Sequence, residues 1–353
     1  MSNLASVQVI SNILPIENAD NIELAIVLGW QVIVQKKNGY KIGDRICYIQ
    51  IDTVMPDLPD YDFLRSRKFR VNTIKLRGVV SQGLIVPLPP GNWKEGDDLT
   101  EIIGVIKYNK PDSDVIETPR KPKGWWDRQV YLFKYNILYK LFPFLRKKTR
   151  SKFPKNLVPI TDEERIQNIP SVLRTHAGKE FVVSYKLDGA SITIIHDRLF
   201  GKSRFRICSR RFELHDTKNQ WYKTFIDTGF KLDVLQLVKY FNTNNIIVQG
   251  EMIGNVNGNH HNLTENEIRL FNIYVDGKRI NQKQFIEVCM ELDIPHCPLY
   301  KYVTLNHTLN EILKESEIKD IINPSVEAEG LVWRCVDGTL SFKVINNNYL
   351  LNE

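Results

Sequence analysis

Two β-patterned runs, residues 181–185 (Phe-Val-Val-Ser-Tyr) and 190–195 (Ala-Ser-Ile-Thr-Ile-Ile), flank the tetrapeptide Lys186-Leu187-Asp188-Gly189. The pattern excludes a continuous helix here and predicts two strands, with Asp188-Gly189 as a tight hairpin turn. A lysine at the rim of a sheet is a candidate covalent nucleophile once cations or desolvation favour its neutral amine. Lys-x-Asp-Gly also arises by chance in about one chain in ten of this size. The plain alternative is a surface hairpin carrying a solvated lysine.

Further strand-like segments carry the next chemistry. One runs through residues 246–251 and ends at Glu251, another spans 327–333 and holds Glu329, and the last, 340–344, holds Lys343. At 353 residues the chain exceeds one usual domain, so two are expected. Residues 1–105 read as short strands, at 30–34, 45–51, 71–76 and 83–88, separated by Gly39, Gly43-Asp44, Pro56-Asp57, Gly78 and Pro89-Pro90-Gly91. Five or so strands in about a hundred residues suit an OB-fold β-barrel. Prolines at 111, 119, 122, 154 and 159 mark residues 106–152 as a connector, and a second domain is expected over 153–353. Thr161 followed by Glu164 predicts a helix start with a capping box.

The net charge of +7 is uneven. Residues 120–155 hold twelve Lys or Arg against one acid, Asp127, for +11, which leaves −4 for everything else. Trp125, Trp126, Tyr131, Phe133 and Tyr135 interleave with these cations, a mixture suited to phosphates and bases. Residues 130–145 are equally compatible with a helix whose aromatics pack between domains while its cations stay solvated. Lys134 and Lys140 interrupt that run, so no membrane span is expected. Five cysteines without a CxxC pair argue against a zinc site and a disulfide framework. The first residues lack a secretory pattern, and a cytoplasmic or nuclear location is expected.

In order, Lys186-x-Asp188-Gly189, Glu251 within Gln-Gly-Glu-Met-Ile-Gly, Phe271 within Leu-Phe-Asn-Ile-Tyr, Glu329-Gly330 and Lys343 resemble the motifs of the covalent nucleotidyltransferases, the polynucleotide ligases and mRNA capping enzymes. Residues 43–49 and 69–84 resemble the amino-terminal OB module of the Deinococcus-type RNA ligases, the fifth RNA ligase family, and so does the 161–168 segment. The resemblance implies an α+β protein: an N-terminal OB-fold barrel, then a ligase-type nucleotidyltransferase domain of antiparallel sheets and flanking helices. It implies ATP and Mg2+ or Mn2+ as cofactors, Lys186 as the adenylated residue, and Lys343 on the α-phosphate. By the same resemblance Asp188 and Glu329 grip metal-bound waters, Glu251 accepts from the ribose, Phe271 stacks on adenine, Arg210 or Arg211 contacts ribose or a 5′-phosphate, and Arg165 reaches the departing phosphates. Taken alone, Phe271 would be core, and Arg165 would be solvated. Two positions depart from many relatives: Ser191 stands where arginine or asparagine is frequent, and Ile345 where a second lysine is frequent. A lysine substituted at 345 is therefore expected to be tolerated. His260-His261, on a Gly- and Asn-rich loop, are expected to be exposed rather than ligands.

The function expected is ATP-dependent sealing of 3′-OH/5′-phosphate nicks in duplex nucleic acid, with an RNA 3′-OH strand, by a monomer. Because every nucleotidyl motif follows Phe153, the second domain is expected to adenylate without the first. A capping-type guanylyltransferase, separable by labelling with GTP, is the rival enzyme. A catalytically inactive OB-type nucleic-acid-binding protein is the rival from another class, although such a protein needs none of Lys186, Glu251, Glu329 and Lys343.

Overall fold

Arg45–Ile49 is buried on both sides: Ile46 and Tyr48 enter one apolar cluster with Trp30, Val32 and Ala25, while Cys47 and Ile49 enter another with Ala5, Val7 and Met55. A strand buried on two faces must be central, and it pairs with Ala5–Val9 on one edge and Leu84–Val86 on the other. The structure is a computed structural model that describes residues 3–108, 126, 129, 133 and 150–352. The expected connector and its 130–145 run therefore lie almost wholly outside the described residues.

Around the central strand, Asn12–Pro15, Ile22–Val27 and Trp30–Gln35 form a meander. Thr53–Val54 pairs with Arg70–Val71 and with Ile106–Lys107, and Ile74–Leu76 pairs with Val79–Ser81. The run expected at 71–76 thus splits, since its two ends serve different ladders. Among the described residues these ladders are separate small sheets rather than one closed barrel.

The remaining strands form two larger sheets. One has five strands in the order Glu164–Arg165, Ser341–Ile345, Gly330–Cys335, Glu180–Lys186, Leu299–Thr304. The other has seven: Arg150–Lys152, Phe212–Leu214, Lys202–Ser209, Ala190–Leu199, Ile246–Ile253, Glu267–Val275 and Lys278–Arg279. By spatial contact the chain divides into two compact units, Met1–Lys110 with Glu163–Lys186 and Pro298–Glu353, and Pro111–Asp162 with Leu187–Cys297. The OB-like strands and the five-stranded sheet therefore share the first unit, and the seven-stranded sheet is the second.

Two sequence expectations are corrected here. Glu180–Lys186 and Ala190–Leu199 are not a hairpin. The first is flanked by Gly330–Cys335 and Leu299–Thr304, the second by Lys202–Ser209 and Ile246–Ile253, so neither has a free edge for the other. Thr161 does not cap a helix either. Glu164–Arg165 is a short strand running parallel to Ser341–Ile345, and main-chain pairing with Phe342 and Lys343 outcompetes the helical turn. A true capping box is present instead at Thr308 and Glu311. No helix among the described residues is long and apolar enough to cross a membrane.

Candidate active site

Register assigns the two faces of the five-stranded sheet. Residues directly paired across strands share a face, and successive residues alternate. Phe181 pairs with Cys335, Val183 with Trp333 and so with Phe342, and Tyr185 with Leu331 and so with Val344. All but Tyr185 belong to the apolar core on that side, where Trp333 stacks on Phe342 at a centroid distance of 5.8 Å. Burying side chains of this size stabilises by about 1.5–3 kcal/mol each, so the apolar face fixes the opposite one.

That opposite face is cationic. Lys186 pairs with Gly330 and so with Ile345; Ser184 with Val332, Lys343 and finally Arg165; Val182 with Arg334 and Ser341. Lys343 and Arg165 are therefore side-by-side neighbours, and Lys186 ends the same face. The Lys186 ammonium lies 2.6 Å from the Glu329 carboxylate, both mostly screened from solvent. Gly330, at φ +146°, permits this turn: a Cβ there would run into the Val344 carbonyl.

Arg334 was not singled out by sequence reasoning. It is buried, donates to Ser184 Oγ at 3.0 Å, and pairs with Glu163 Oε1 at 3.1 Å. Burial pushes the Glu163 carboxyl up, but Arg334, a main-chain hydrogen bond, Lys343 and Lys186 outweigh it and hold the group below its ordinary range. Glu163 is thus a fixed negative charge among cations. The signal lay in the sequence, because Arg334 interrupts the apolar run Leu331-Val332-Trp333 on the phase of the polar face.

Ile345 is 4% exposed and packs in one cluster with Val80, Tyr349 and Leu350. That apolar contact with an OB-like strand argues against the expectation that a lysine would be tolerated there. The Arg165 guanidinium likewise lies 5.3 Å from the Trp30 ring, and Gly29 faces Leu313, Leu309 and Gln167. Strands from the first hundred residues thus pack directly on those carrying Lys343 and Arg165, and the expectation that the catalytic region works without them loses its basis.

The other predicted residues lie in the second unit. Ser191 pairs across strands with Glu251, and Glu251 with Arg269, so the three are neighbours on one sheet face. Phe271 is 8% exposed and sits at a register shift: Asn272 and Leu270 pair with the consecutive residues Gln249 and Gly250, leaving Phe271 as the extra residue of a bulge. Bulges re-aim side chains and recur next to active sites. Arg210 is exposed and pairs with Asp162 at 2.7 Å.

Around Asp188 the main chain is captured carbonyl by carbonyl. His261 Nε2 lies 3.1 Å from the Asp188 carbonyl, Asn257 Nδ2 donates to that of Gly189, and Trp221 Nε1 donates to that of Ser191 at 3.1 Å. A carbonyl only accepts, so the His261 proton sits on Nε2. His261 is 3% exposed, which corrects the expectation of a surface loop residue. The loop's composition makes this possible, since Asn257, Gly258, Asn259 and Asn262 all adopt positive φ, where asparagine and glycine are tolerated. Trp221 is placed by the helix Gln220–Asp227, capped by Asn219 accepting from the Tyr222 amide. Gly189 is required as well, because a Cβ there would meet the Met252 carbonyl.

Among the described residues no three His, Cys, Asp or Glu groups form a metal cage. A divalent cation held by isolated carboxylates keeps most of its waters, as magnesium prefers. Burial pushes the thiols of Cys47, Cys208 and Cys289 up to about 12, which leaves no thiolate at neutral pH from these three.

Residues 179–345 match the RNA ligase family, and residues 4–88 match an OB-fold domain. Among solved structures the chain is similar to Naegleria gruberi RNA ligase. A lysine-to-alanine mutant of that enzyme with ATP and Mn is 28% identical, covering 99% of each chain, with a TM-score of 0.71. The same enzyme with PPi is 28% identical over 100% of this chain and 99% of that one, with a TM-score of 0.70. A glutamate-to-alanine mutant with AMP and Mn is 27% identical over 99% of each, with a TM-score of 0.70. No curated protein matches the sequence.

Proposed function

From the premise that this chain belongs to the RNA ligases of the nucleotidyltransferase superfamily, we propose that it is an ATP-dependent enzyme sealing 3′-OH/5′-phosphate nicks in duplex nucleic acid through a lysyl-AMP intermediate. The observation that carries this reading is the single sheet face on which Lys186, paired with Glu329, ends a row continued by Lys343 and Arg165. Three cations on one face suit a polyphosphate. The amino-terminal position of the OB-like strands supports the Deinococcus-type group.

An ammonium has no lone pair, and lysine ordinarily carries that form at neutral pH, with a reference pKa of about 10.4. The Lys186 proton must leave before attack, and Glu329, at 2.6 Å, is a base within reach. The Nζ lone pair then forms a bond to the α-phosphorus while the bond to the β-phosphate oxygen breaks and pyrophosphate departs. Lys343 and Arg165 stabilise the charge that develops on the phosphates. A Mg2+ or Mn2+, its waters assigned to Asp188 and Glu329, would neutralise α-phosphate charge. Glu251 receives the ribose hydroxyls, Phe271 the adenine face, and Arg210 the ribose or the incoming 5′-phosphate, beside Ser191. AMP then passes to the 5′-phosphate, and the neighbouring 3′-OH expels it. The OB module is assigned to residues 1–105, a connector to 106–152 and the adenylyltransferase domain to 153–353.

The test is a nick-sealing assay with labelled ATP and Mn2+ on duplexes carrying RNA or DNA at the 3′-OH side. ATP-dependent sealing of the RNA 3′-OH nick is expected, faster than the DNA nick, since a 2′-hydroxyl separates the two. Labelling from GTP and not ATP would replace this reading with the capping-type one.

A further inference from the structure

The strands Ala190–Leu199 and Lys202–Ser209 are joined by Phe200 and Gly201, with Leu199 opposite Lys202 as the closing pair. Both turn residues have positive φ, 48° and 77°. Two-residue hairpins of this kind favour Asn-Gly or Asp-Gly, because a left-handed conformation costs a bulky L-residue about 1–2 kcal/mol. Phenylalanine is therefore a poor choice for the turn. It is also 96% exposed, with Leu199 beside it at 45%. A single exposed apolar residue needs no explanation, but one held on a strained backbone where asparagine would relax it does.

The flanking chemistry indicates what the ring is for. Arg198 and Lys202, two residues to either side, are exposed and have no ion pair among the described residues, whereas Arg204 and Arg206 further down the hairpin pair with Asp197 and Glu213. The tip thus presents an aromatic face between two unneutralised cations. Aromatic rings stack on bases irrespective of sequence, and lysine and arginine beside them neutralise phosphates. Two cations flanking the ring favour an anionic polymer with stackable faces over an apolar protein surface.

We propose that Phe200, with Arg198 and Lys202, is a nucleic-acid contact that stacks on a base of the substrate while the two cations hold the adjacent phosphates. The identity of the occupant rests on the ligase reading above.

The test uses the full chain and a nicked RNA duplex labelled with a fluorophore, with binding followed by anisotropy without ATP. Phe200→Asn installs the residue this turn favours, so its melting temperature should equal or exceed that of the parent protein, while binding weakens about tenfold, as loss of one stacked base requires. Phe200→Trp should bind as the parent does. Arg198→Ala combined with Lys202→Ala should make binding less sensitive to salt. Unchanged affinity in Phe200→Asn would overturn the proposal while leaving the ligase reading intact. A shift in sedimentation with unchanged RNA affinity would also overturn it, by making the ring a protein contact. Failure of the parent protein to bind any nicked duplex would sink the proposal and the ligase reading together.

Discussion

Lys186 and Asp188 are two residues apart, yet they are fixed by opposite means. Lys186 belongs to a face ordered by charge: it pairs with Glu329, and Arg334 with Glu163, amid Lys343 and Arg165. Asp188 belongs to a stretch ordered by shape, in which His261, Asn257 and Trp221 each take one main-chain carbonyl. Removing one charge from such a face leaves its partner uncompensated. A captured backbone cannot relax without losing hydrogen bonds, so it serves as the fixed reference. Changes on the first should act through charge, and changes on the second through geometry.

The largest effects are expected on the charged face. Glu329→Ala and Lys343→Ala should each lower the rate of protein–AMP formation by about two orders of magnitude or more, the scale of removing one preorganised electrostatic group. Excess Mn2+ should restore Glu329→Ala only in part, measured by labelled adduct formation across a metal titration. A normal rate at low metal would assign Glu329 a structural role.

Ile345→Lys tests the boundary of that face. A lysine among Val80, Tyr349 and Leu350 loses apolar contact and buries an amine, and should destabilise by about 2–4 kcal/mol in urea unfolding. Removing residues 1–105 uncovers the same cluster together with the contacts of Trp30 and Gly29, so adenylation should fall along with folding cooperativity. Full adenylation by the truncated chain would show that this packing is dispensable.

On the shape-ordered side the expected change is smaller. His261→Leu deletes one donor to the Asp188 carbonyl and should slow adduct formation about tenfold, while His261→Gln, which places an amide near the Nε2 position, should restore most of it. If His261 were a metal ligand, the glutamine variant would fail as badly as the leucine one.

The mildest test is in acid. Because the Glu163 carboxyl is held below its ordinary value, its contribution to stability is complete above about pH 4.3 and is lost as pH falls through the lower folded-state value. Glu163→Gln should therefore be less stable than the parent protein at neutral pH, with a difference that narrows below about pH 4. A difference constant down to strong acid would remove Glu163 from the charged network.

How much of this was legible in the sequence depended on whether a signal was local. Lys186, Glu251, Glu329 and Lys343 stand within or beside strands that the sequence pattern revealed. Arg334, which interrupts the apolar run Leu331-Val332-Trp333, was readable there and went unread. The hairpin at Asp188-Gly189 misled because a turn signal cannot report that both flanking strands already have two neighbours. The helix at Thr161 misled because pairing with Phe342 and Lys343 is distant in sequence. His261, Asn257 and Trp221 carried no local mark, since their partners lie 30 to 73 residues away. Ile345 looked like a missing cation because its contact, Val80, comes from the other end of the chain.

The central claim is that Lys186 is the adenylated residue, and mapping the adduct tests it most directly. After incubation with ATP and Mn2+, peptide mass spectrometry should find AMP on the peptide containing Lys186, and Lys186→Ala should carry none. AMP on another lysine, or undiminished labelling of Lys186→Ala, would contradict the account.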